Sequence, residues 1–527
     1  MTKRSGLLLI MLWTAIFAVL LRVFYISYGA LNTKVMATAG KRDGSIALYN
    51  SKGVIYDCNL NLLAGNQPTY YLIVNPREFD RQEISYLVDI SDKTYNEINE
   101  KLKYEKPFVV TSQIMPRDIN GITSVYGYSR YPQEKVAQHI VGYLDDDGIV
   151  GLSGVERAYN DFLSKYNSAV DFSYTTNAIN GILSQPDIKN TKRTNDGVVL
   201  TIDRDLSYVA EKSLKEFTES GCVIVMDCNN GNLLTLSSTP GFEYKKIAQY
   251  ENNELLNNAL VNQTVGSVFK IVVALSAIEN KIEEFEFECN GGITVSDRVF
   301  SCQNANSHGL QMLSDAFANS CNCYFIAIGQ LLGYDKIMDT AKKLGLDSSI
   351  KISKDLYSYS AQMPEDESAL SLANLSIGQG ELLISPLSVA RMTATVCNGG
   401  FLVNPTIYKG MYLDGELVNC PGYSYKSNVI DKSSSEKIKQ MCIECVNDGT
   451  GKNAKPNSRG AGGKTASAQT GKYDKEQKEI LNTYFTGFYP ADTPQYVITV
   501  FAHDGKSGAE TCAPVFKEIC NYIEQNC

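Results

Sequence analysis

The sequence contains few histidines, a single tryptophan and no long run of basic residues. Its 527 residues include 3 His and 1 Trp, and 49 Lys+Arg against 58 Asp+Glu give a net charge of −9. The sequence has no basic blocks interleaved with aromatic residues, the pattern that is suited to binding the phosphate backbone of a nucleic acid. Nucleic acid is therefore not an expected partner. A hydrophobic content of 44% is too high for a disordered chain. At roughly 150 residues per domain, the length suggests about three units.

No low-complexity tract is present, but one apolar run at the N-terminus exceeds all others. After Lys3 and Arg4 the sequence reads "GLLLIMLWTAIFAVLLRVFYISY". About 20 apolar residues cross a bilayer core of about 30 Å, and basic residues ahead of the span hold the N-terminus in the cytoplasm. We therefore expect a cytoplasmic stub (1–5), a transmembrane anchor (6–28) and the remaining chain outside the plasma membrane. A cleaved signal peptide is the alternative.

The fourteen cysteines do not show the spacing of a metal site. Cys321 and Cys323 are separated by one residue, whereas zinc ligands are usually two to four apart. We therefore expect no metal and no cofactor. Cys289 and Cys302 bracket a loop that a disulfide could close in an exported protein. His308, in "ANSHGL", has no acidic residue or second histidine beside it, and we interpret it as structural.

Past the anchor, the chain divides at a polar stretch. Residues 38–195 carry short strand-like runs separated by Asn, Asp and Gly turns, and end within "QPDIKNTKRTNDG". Residues 196–527 begin with a strand and an amphipathic helix, and "GCVIVMDCNNGNLLTLSS" is typical of two strands joined by an Asn-Asn-Gly turn. Strands at both ends of this region, with helical patterns between them, predict an α+β domain whose terminal strands pair in one antiparallel sheet.

The segment "NQTVGSVFKIVVAL", residues 262–275, places Ser267 and Lys270 at the start of an apolar helix. Residues three apart lie on the same helix face. Burial lowers the pKa of a lysine amine, which then serves as a base for the serine hydroxyl. A helix N-terminus also offers backbone N–H groups to a developing oxyanion. The pair is therefore typical of an activated serine nucleophile.

The Ser-x-x-Lys spacing alone is a weak signal. Ser348 and Lys351, and likewise Ser434 and Lys437, repeat it in charged surroundings. We interpret both of these pairs as solvated surface residues. The assignment of Ser267 as a nucleophile therefore depends on further motifs.

Two further motifs follow, Ser320-Cys321-Asn322 and Lys464-Thr465-Ala466. Taken singly, Ser320 and Asn322 could cap a helix, and Lys464 could be an exposed strand-edge lysine. S-x-x-K, then S-x-N, then K-T followed by a small residue form the ordered set of the penicillin-recognising serine acyltransferases. With this set the chain resembles the class B penicillin-binding proteins, the membrane-anchored D,D-transpeptidases of bacterial cell-wall synthesis.

The resemblance extends along nearly the whole chain. The matching segments are "KGVIYDCNLNLLA" just outside the membrane, "YPQEKVAQHIVGY" and "GLSGVERAYNDFL" in the pedestal, "SIGQGELLISPLSVARMTATVCNGG" after the S-x-N loop, and "YFTGFYPADTPQYVITV" as the closing strand. The resemblance implies a serine transpeptidase (β-lactamase-like) domain over residues 196–527, with an antiparallel sheet between helical layers. It also implies an elongated mixed α/β pedestal, similar to a penicillin-binding protein dimerisation domain, over residues 38–195.

The family resemblance also implies catalytic roles. Ser267 would attack the carbonyl of the penultimate D-alanine of a peptidoglycan stem peptide and form an acyl-enzyme. Lys270 would take the serine proton, and Ser320 would relay it toward the leaving D-alanine. Asn322 would hydrogen-bond the substrate amide or Lys270. An amine from a neighbouring strand would then resolve the ester.

The K-T motif implies the groups that bind substrate. Lys464 and Thr465 would hold the terminal carboxylate, and the backbone N–H groups of Ser267 and Ser467 would form the oxyanion hole. The chain departs from the family in having Ala466 where glycine is usual. If its methyl group faces the site it narrows the cleft, which would affect β-lactam affinity.

The expected function is crosslinking of stem peptides ending in D-Ala-D-Ala, without a cofactor, by an enzyme that β-lactams acylate and inhibit. A D-alanyl-D-alanine carboxypeptidase side activity is compatible with the same chemistry. The expected membrane partner is a polytopic glycosyltransferase. The alternative is a non-catalytic cell-wall scaffold or β-lactam sensor that retains the fold, with Ala466 as its sequence support. A β-lactamase would have no use for a pedestal of this length.

Overall fold

The computed structural model describes residues 3–31, 42–104, 106–132, 134–166, 168–176, 187–188, 194–250, 252–419 and 426–526. The chain forms two compact units, each assembled from separate segments. The first unit comprises Met1–Lys52, Gly65–Arg130 and Tyr166–Thr194, and the second comprises Gly53–Ala64, Tyr131–Lys165 and Asn195–Cys527.

The strands are, in chain order, β1 (Arg42–Ser51), β2 (Val54–Tyr56), β3 (Leu62–Ala64), β4 (Gln67–Val74), β5 (Phe108–Ser112), β6 (Ile122–Ser129), β7 (Ser168–Thr176), β8 (Asp187–Ile188), β9 (Gly197–Leu200), β10 (Gly221–Asp227), β11 (Leu233–Thr239), β12 (Gln263–Thr264), β13 (Phe287–Cys289), β14 (Gly292–Val295), β15 (Arg298–Ser301), β16 (Gly309–Gln311), β17 (Lys351–Ser353), β18 (Leu356–Tyr357), β19 (Leu383–Ile384), β20 (Phe401–Val403), β21 (Tyr408–Leu413), β22 (Glu416–Asn419), β23 (Lys426–Asn428), β24 (Gly462–Tyr473), β25 (Glu479–Tyr489) and β26 (Tyr496–His503).

The α-helices are α1 (Lys3–Leu31), α2 (Ile84–Ile90), α3 (Tyr95–Lys103), α4 (Gln138–Val141), α5 (Gly154–Ala158), α6 (Asn160–Leu163), α7 (Arg204–Phe217), α8 (Lys270–Glu279), α9 (Leu313–Ala318), α10 (Asn322–Leu332), α11 (Tyr334–Lys343), α12 (Ala369–Ser376), α13 (Pro386–Cys397), α14 (Lys432–Asn447) and α15 (Ala513–Asn526). Within the part of the chain that is described, no helix combines the length and the apolar character needed to cross a bilayer. The anchor over residues 6–28 stays a prediction.

The first unit contains two three-stranded sheets, with strand orders β1-β7-β8 and β5-β4-β6. In the second of these sheets, β4 pairs antiparallel with both neighbours. Its side chains alternate between two clusters, because Leu72 and Val74 pack with α2 and α3 whereas Tyr71 and Ile73 pack with Phe172 of β7. The central strand is therefore covered on both faces.

The second unit is built on a five-stranded antiparallel sheet with the order β11-β10-β26-β25-β24. β10 pairs with β11 around the Asn-Asn-Gly turn and with β26 from the C-terminal part of the chain. The predicted hairpin and the predicted pairing of terminal strands are both confirmed.

Both faces of this sheet are covered by helices. β10 is apolar and buried from Gly221 to Met226, as expected for a strand buried on both sides. Ile224 points to the face that packs against α8 and α13, and Val223 points to the opposite face, against α7 and α15. Full burial of one such side chain stabilises the fold by about 1.5–3 kcal/mol. The sheet lies between helical layers, as the family resemblance implies.

The second sheet of this unit contains both parallel and antiparallel strands and has the order β22-β21-β9-β2-β3. Its strands β2 and β3 come from "KGVIYDCNLNLLA", and β2 runs parallel to β9. The turn between β2 and β3 is closed by the Asp57 carboxylate, which accepts hydrogen bonds from the backbone N–H groups of Asn59 at 2.8 Å and Asn61 at 2.7 Å. This segment of the chain is therefore an integral part of the second unit.

Helix α7 carries a buried acid that the sequence pattern does not single out. Glu211 is 8% exposed, and its carboxyl accepts a hydrogen bond from the backbone N–H of Ala137 at 2.9 Å. Burial raises the pKa of Glu211 to about 7, although the Ala137 N–H, the charge of Lys215 and the Ser237 hydroxyl each act in the opposite direction. Below about pH 7 the folded chain therefore favours the protonated acid.

Glu211 makes the stability of this unit depend on pH. Between the ordinary pKa of 4.5 and about 7, the folded state holds a proton that the unfolded state has lost, so the free energy of unfolding falls as pH rises. We expect Glu211→Gln, which keeps an oxygen acceptor for Ala137, to remove up to about 3 kcal/mol of this fall. Denaturant unfolding of the wild type and of Glu211→Gln at pH 5 and pH 7.5 measures this change in the free energy of unfolding.

The matched control is Glu216→Gln, which removes an exposed carboxylate from the same helix. The control should reproduce the wild-type difference between the two pH values. An equal difference in Glu211→Gln and wild type would contradict the prediction.

Candidate active site

Ser267 lies on a 3₁₀ turn, Gly266–Phe269, that runs directly into α8. It is partly exposed, whereas the residues on either side of it are buried. Gly266 has φ +56°, a conformation that favours glycine. Its N–H donates to the carbonyl of Gly378 at 2.9 Å, and a Cβ on Gly378 would lie 2.0 Å from the Gly266 carbonyl oxygen. Two glycines at close backbone approach therefore position the serine.

Lys270, the first residue of α8, is fully buried. Its Nζ donates to the Ser320 carbonyl at 2.7 Å, to Asn322 Oδ1 at 2.8 Å and to Ser320 Oγ at 3.3 Å. Nζ also lies 5.3 Å from the centroid of the Phe325 ring. The structure thus brings the S-x-x-K and S-x-N motifs together through the Lys270 amine.

The backbone of the S-x-N segment is shaped for this contact. Ser320 has φ +54°, the left-handed region that L-residues other than Asn and Asp rarely adopt. Cys321 caps α10, because its Sγ accepts a hydrogen bond from the Tyr324 N–H at 3.4 Å. The alternative in which Ser320 and Asn322 cap this helix is therefore wrong. Asn322 instead uses its amide to bridge Lys270 and the Ser301 carbonyl, the latter at 3.0 Å.

The environment of Lys270 disfavours its charge. Burial is the main cause that holds the pKa of Lys270 well below its ordinary value, and the neighbouring positive charge of Lys464 acts in the same direction. The thiols of Cys302, Cys321 and Cys323 oppose this shift. None of the ion pairs formed between described residues includes Lys270. The amine is therefore suited to accept a proton.

Strand β24 supplies the third motif. Lys464 is fully buried, so the alternative of an exposed edge lysine is wrong. Its Nζ donates to the Thr465 carbonyl at 3.2 Å and lies 5.6 Å from the Phe317 ring centroid. Burial lowers the pKa of Lys464 as well. The Thr465 hydroxyl is 2.7 Å from that of Thr450, a contact that no sequence motif predicted.

Further residues of β24 lie near the 3₁₀ turn that carries Ser267. A Cβ on Gly266 would stand 3.0 Å from that of Ala468. Ala466 is 3% exposed and belongs to the core cluster that includes α8, so its methyl group is buried. The Ser467 hydroxyl accepts a hydrogen bond from the Gly508 N–H at 3.2 Å. The assignment of the Ser267 and Ser467 N–H groups as an oxyanion hole stays a prediction.

Cysteines around the S-x-N motif form a group that the spacing argument missed. Cys289, Cys302, His308 and Cys321 place their sulfur or nitrogen atoms within 4.8 Å of one another. The argument that cysteine spacing excludes such a cluster is therefore wrong, because the four residues come from separate elements. Cys289 and Cys302 are free thiols with their sulfurs 3.8 Å apart, so the suggested disulfide is not formed.

Two family profiles match the chain. The "Penicillin binding protein transpeptidase domain" matches residues 221–521, and the "Penicillin-binding Protein dimerisation domain" matches residues 48–196. The chain therefore belongs to the penicillin-binding protein transpeptidase family. A dimerisation domain ahead of the transpeptidase domain identifies it more narrowly as a class B member, which confirms the family predicted from the motifs.

Similar proteins include curated relatives and solved structures. Stage V sporulation protein D of Bacillus subtilis is 26% identical over 554 residues, covering 98% of this chain and 85% of the relative. Peptidoglycan D,D-transpeptidase MrdA of Acinetobacter baumannii is 24% identical, covering 88% of this chain and 80% of the relative. The crystal structure of penicillin-binding protein 3 from Mycobacterium tuberculosis in complex with aztreonam has a TM-score of 0.65 at 21% identity, covering 92% and 97% of the two chains. That likeness shows a shared fold.

Proposed function

We propose that this chain is a peptidoglycan D,D-transpeptidase that works through an acyl-enzyme on Ser267. The observation that carries the proposal is the buried Lys270 amine, which joins the nucleophile helix to Ser320 and Asn322. Membership in the transpeptidase family and the D,D-transpeptidase activity named for its relatives support it.

The proposed chemistry begins with proton transfer from the Ser267 hydroxyl to the neutral Lys270 amine. Ser267 Oγ then forms a bond to the carbonyl carbon of the penultimate D-alanine, and the bond to the terminal D-alanine nitrogen breaks. The proton passes through Ser320 to that leaving amine, for which the 3.3 Å contact between Lys270 Nζ and Ser320 Oγ provides the first link. An amine of a second stem peptide attacks the ester and regenerates Ser267.

The cleaved peptide bond supplies the free energy, so the reaction requires no nucleotide. Lys464 would provide positive charge toward the substrate carboxylate, and Thr465 would donate a hydroxyl hydrogen bond in place of its contact with Thr450. The methyl group of Ala466 is buried, which supports an unobstructed cleft.

We further propose that residues 6–28 anchor the chain in the plasma membrane, with the N-terminus in the cytoplasm and the catalytic unit outside. The apolar run of the sequence and the basic residues before it support this arrangement. The proposed membrane partner is a polytopic glycosyltransferase that makes the glycan strands to be crosslinked.

Acylation of Ser267 can be tested with fluorescent penicillin. We expect saturable covalent labelling of the wild type, no labelling of Ser267→Ala, and labelling of Lys270→Met slowed by about 10²–10⁴-fold, because the base is lost while the packing of its stem is kept. The rate of labelling measured on gels gives these values.

Ser348→Ala and Lys351→Met are the matched controls, since they alter the same spacing at exposed positions. Both controls should label as the wild type does. Failure of the folded wild type to label, together with no turnover of a D-alanyl-D-alanine thioester, would favour the scaffold and overturn the proposal.

The pH profile of acylation reports on Lys270. Its pKa lies below the ordinary value of 10.5 because of burial and the charge of Lys464. The neutral base therefore forms as pH rises through this lowered pKa, and we expect the labelling rate to rise and reach a plateau well below pH 10. Stopped-time labelling between pH 5 and pH 10 measures the profile. A rate that rises only near pH 10 would contradict a depressed pKa.

The membrane anchor can be tested by fractionation. We expect the full chain to remain in the membrane pellet after an alkaline carbonate wash and a chain lacking residues 1–31 to be released, because the apolar run is removed. Immunoblots of both fractions measure this, and retention of the shortened chain would contradict the anchor.

A further inference from the structure

A hydrogen-bonded network of three side chains connects the central sheet to the segment that carries Ser267. His503 is the last residue of β26, and its Nδ1 lies 2.8 Å from Oδ1 of Asn482 on β25. Asn482 Nδ2 in turn donates to the hydroxyl of Thr264, the last residue of β12, at 3.0 Å. We refer to these three residues as the His503–Asn482–Thr264 network. The acyl-enzyme chemistry proposed above uses none of their side chains.

The register of the sheet places the network on the face that packs against α8. Ala468 of β24 pairs with Asn482, and Asn482 pairs with His503. Directly paired residues of an antiparallel sheet share a face. Ala468 is two residues beyond Ala466, so the two alanines share a face as well, and Ala466 belongs to the core cluster that includes α8. The network therefore lies on the same side of the sheet as the nucleophile helix.

Strand β24 leaves room for this connection because its side chain at the same level is small. Ala468 is fully buried, and a Cβ on Gly266 would lie 3.0 Å from the Ala468 Cβ. At this level β24 contributes a single methyl group to the space beside the turn. The amide of Asn482 can therefore reach Thr264 past β24.

The donors and acceptors of the network are matched. The Asn482 amide nitrogen donates to Thr264 Oγ1 and also to Gln263 Oε1, at 3.4 Å. The amide oxygen can only accept, so His503 carries its proton on Nδ1. Burial lowers the pKa of His503, and the charge of Lys472 acts in the same direction. The imidazole is therefore neutral at pH 7 and donates one hydrogen bond from Nδ1.

The sheet holds the first two members of the network in place. The His503 N–H donates to the Ser220 carbonyl at 2.8 Å, and the His503 carbonyl accepts from the Thr218 hydroxyl at 3.0 Å. The imidazole packs edge-on against the Phe501 ring, with the centroids 4.7 Å apart. Asn482 is 3% exposed. His503 and Asn482 are therefore fixed, and Thr264 is the member through which they act on the turn.

The segment between Thr264 and Ser267 needs such support. β12 has two residues and pairs with the equally short β19. It is followed by the buried Val265 and by Gly266, which has φ +56°. Glycine restricts the backbone less than any other residue. A fixed position for Ser267 therefore requires that the residues before this glycine are held by further contacts.

We propose that His503 and Asn482 are positioning residues that hold Thr264, and with it the turn that carries Ser267, against the central sheet. They act through Thr264 and not on the reacting atoms. The same sheet carries Lys464 and Thr465 on β24, so the network fixes the nucleophile turn relative to the proposed carboxylate-binding groups. The effect on catalysis rests on the proposed function, whereas the support of the turn does not.

A direct acid–base role accounts for the network less well. The partner of the His503 Nδ1 proton is an amide oxygen, and an amide is neither an acid nor a base near neutral pH. Asn482 therefore cannot pass a proton on to Thr264. The network transmits position and leaves proton transfer to Lys270.

The first test measures fluorescent-penicillin labelling of the full chain in detergent over a range of penicillin concentrations. Thr264→Val and His503→Phe keep the packing and remove one hydrogen-bonding group each. We expect the maximal labelling rate of both variants to fall by about tenfold or more, with the half-saturating penicillin concentration unchanged within about twofold. Thr264→Ser keeps the hydroxyl and should restore the wild-type rate.

A double variant distinguishes one network from two separate structural effects. If Thr264 and His503 act through the same hydrogen bonds, Thr264→Val combined with His503→Phe should lose no more rate than the more severe single variant. Independent effects would multiply. A multiplied loss would therefore overturn the proposal.

Thr499→Val is the matched control, because it removes a fully buried hydroxyl from the same strand as His503. The Thr499 hydroxyl lies 2.7 Å from that of Thr486 and is not part of the network. The control should label at the wild-type rate even if its Tm falls. Equal losses of rate in Thr499→Val and His503→Phe would show a general effect of stability and overturn the proposal.

Hydrogen exchange followed by mass spectrometry separates this inference from the proposed function. We expect the backbone amides of residues 263–269 to exchange at least about threefold faster in Thr264→Val and His503→Phe than in the wild type, and at the wild-type rate in Thr499→Val. If His503→Phe fails to fold, Thr264→Val at its partly exposed position still decides.

Each outcome then has one meaning. A wild type that never labels, with faster exchange of the turn in the two variants, would refute the proposed function and leave the support of the turn standing. A wild type that labels, with unchanged labelling and unchanged exchange in both variants, would refute the positioning role alone.

Discussion

The proposed active site depends on one buried amine, that of Lys270, which donates hydrogen bonds to a backbone carbonyl, a hydroxyl and a side-chain amide oxygen. A buried charge without a carboxylate partner is costly, and the neutral amine relieves that cost. The ammonium form of Lys270 can donate to all three acceptors. The neutral amine has two N–H donors, which suffice for the Ser320 carbonyl and Asn322 Oδ1 and leave its lone pair for the Ser320 hydroxyl proton. Because these acceptors belong to the S-x-N segment, the position of the lysine and the unusual backbone of Ser320 determine each other. The fold must keep water away from Lys270 if it is to act as the proposed base.

The central sheet meets that requirement by being covered on both faces. Helix α13 is buried along its whole length, and α8 is buried from Lys270 to Ile278. The proposed nucleophile therefore lies on a 3₁₀ turn that leads directly into a buried helix, and Ser267 is the only residue of that turn that is partly exposed. Strand β24 closes the other side with Lys464, a second buried amine that disfavours the charge of the first. The geometry of the site is set by packing far more than by surface ion pairs.

Much of this arrangement could be predicted from local patterns. The Asn-Asn-Gly turn between β10 and β11, the pairing of terminal strands and the buried helix that starts beside Ser267 follow from residue chemistry and periodicity. The role of Cys321 as a helix cap, the left-handed Ser320 and the burial of Lys464 depend on tertiary contacts, which local sequence does not encode. The group formed by Cys289, Cys302, His308 and Cys321 was missed for the same reason, since these residues are spread along the chain in a C-x12-C-x5-H-x12-C pattern. Spacing rules detect metal ligands that lie two to four residues apart on one turn. They do not detect ligands that come together from separate loops.

The close approach of Gly266 and Gly378 has an evolutionary consequence. Both positions have positive φ, and at Gly378 a single added carbon would collide with the backbone that carries the serine. Any side chain there would displace the turn that carries Ser267, the proposed nucleophile. We therefore expect substitutions that confer β-lactam resistance to arise at residues that contact the drug and not the natural substrate. Gly266 and Gly378 should remain unchanged.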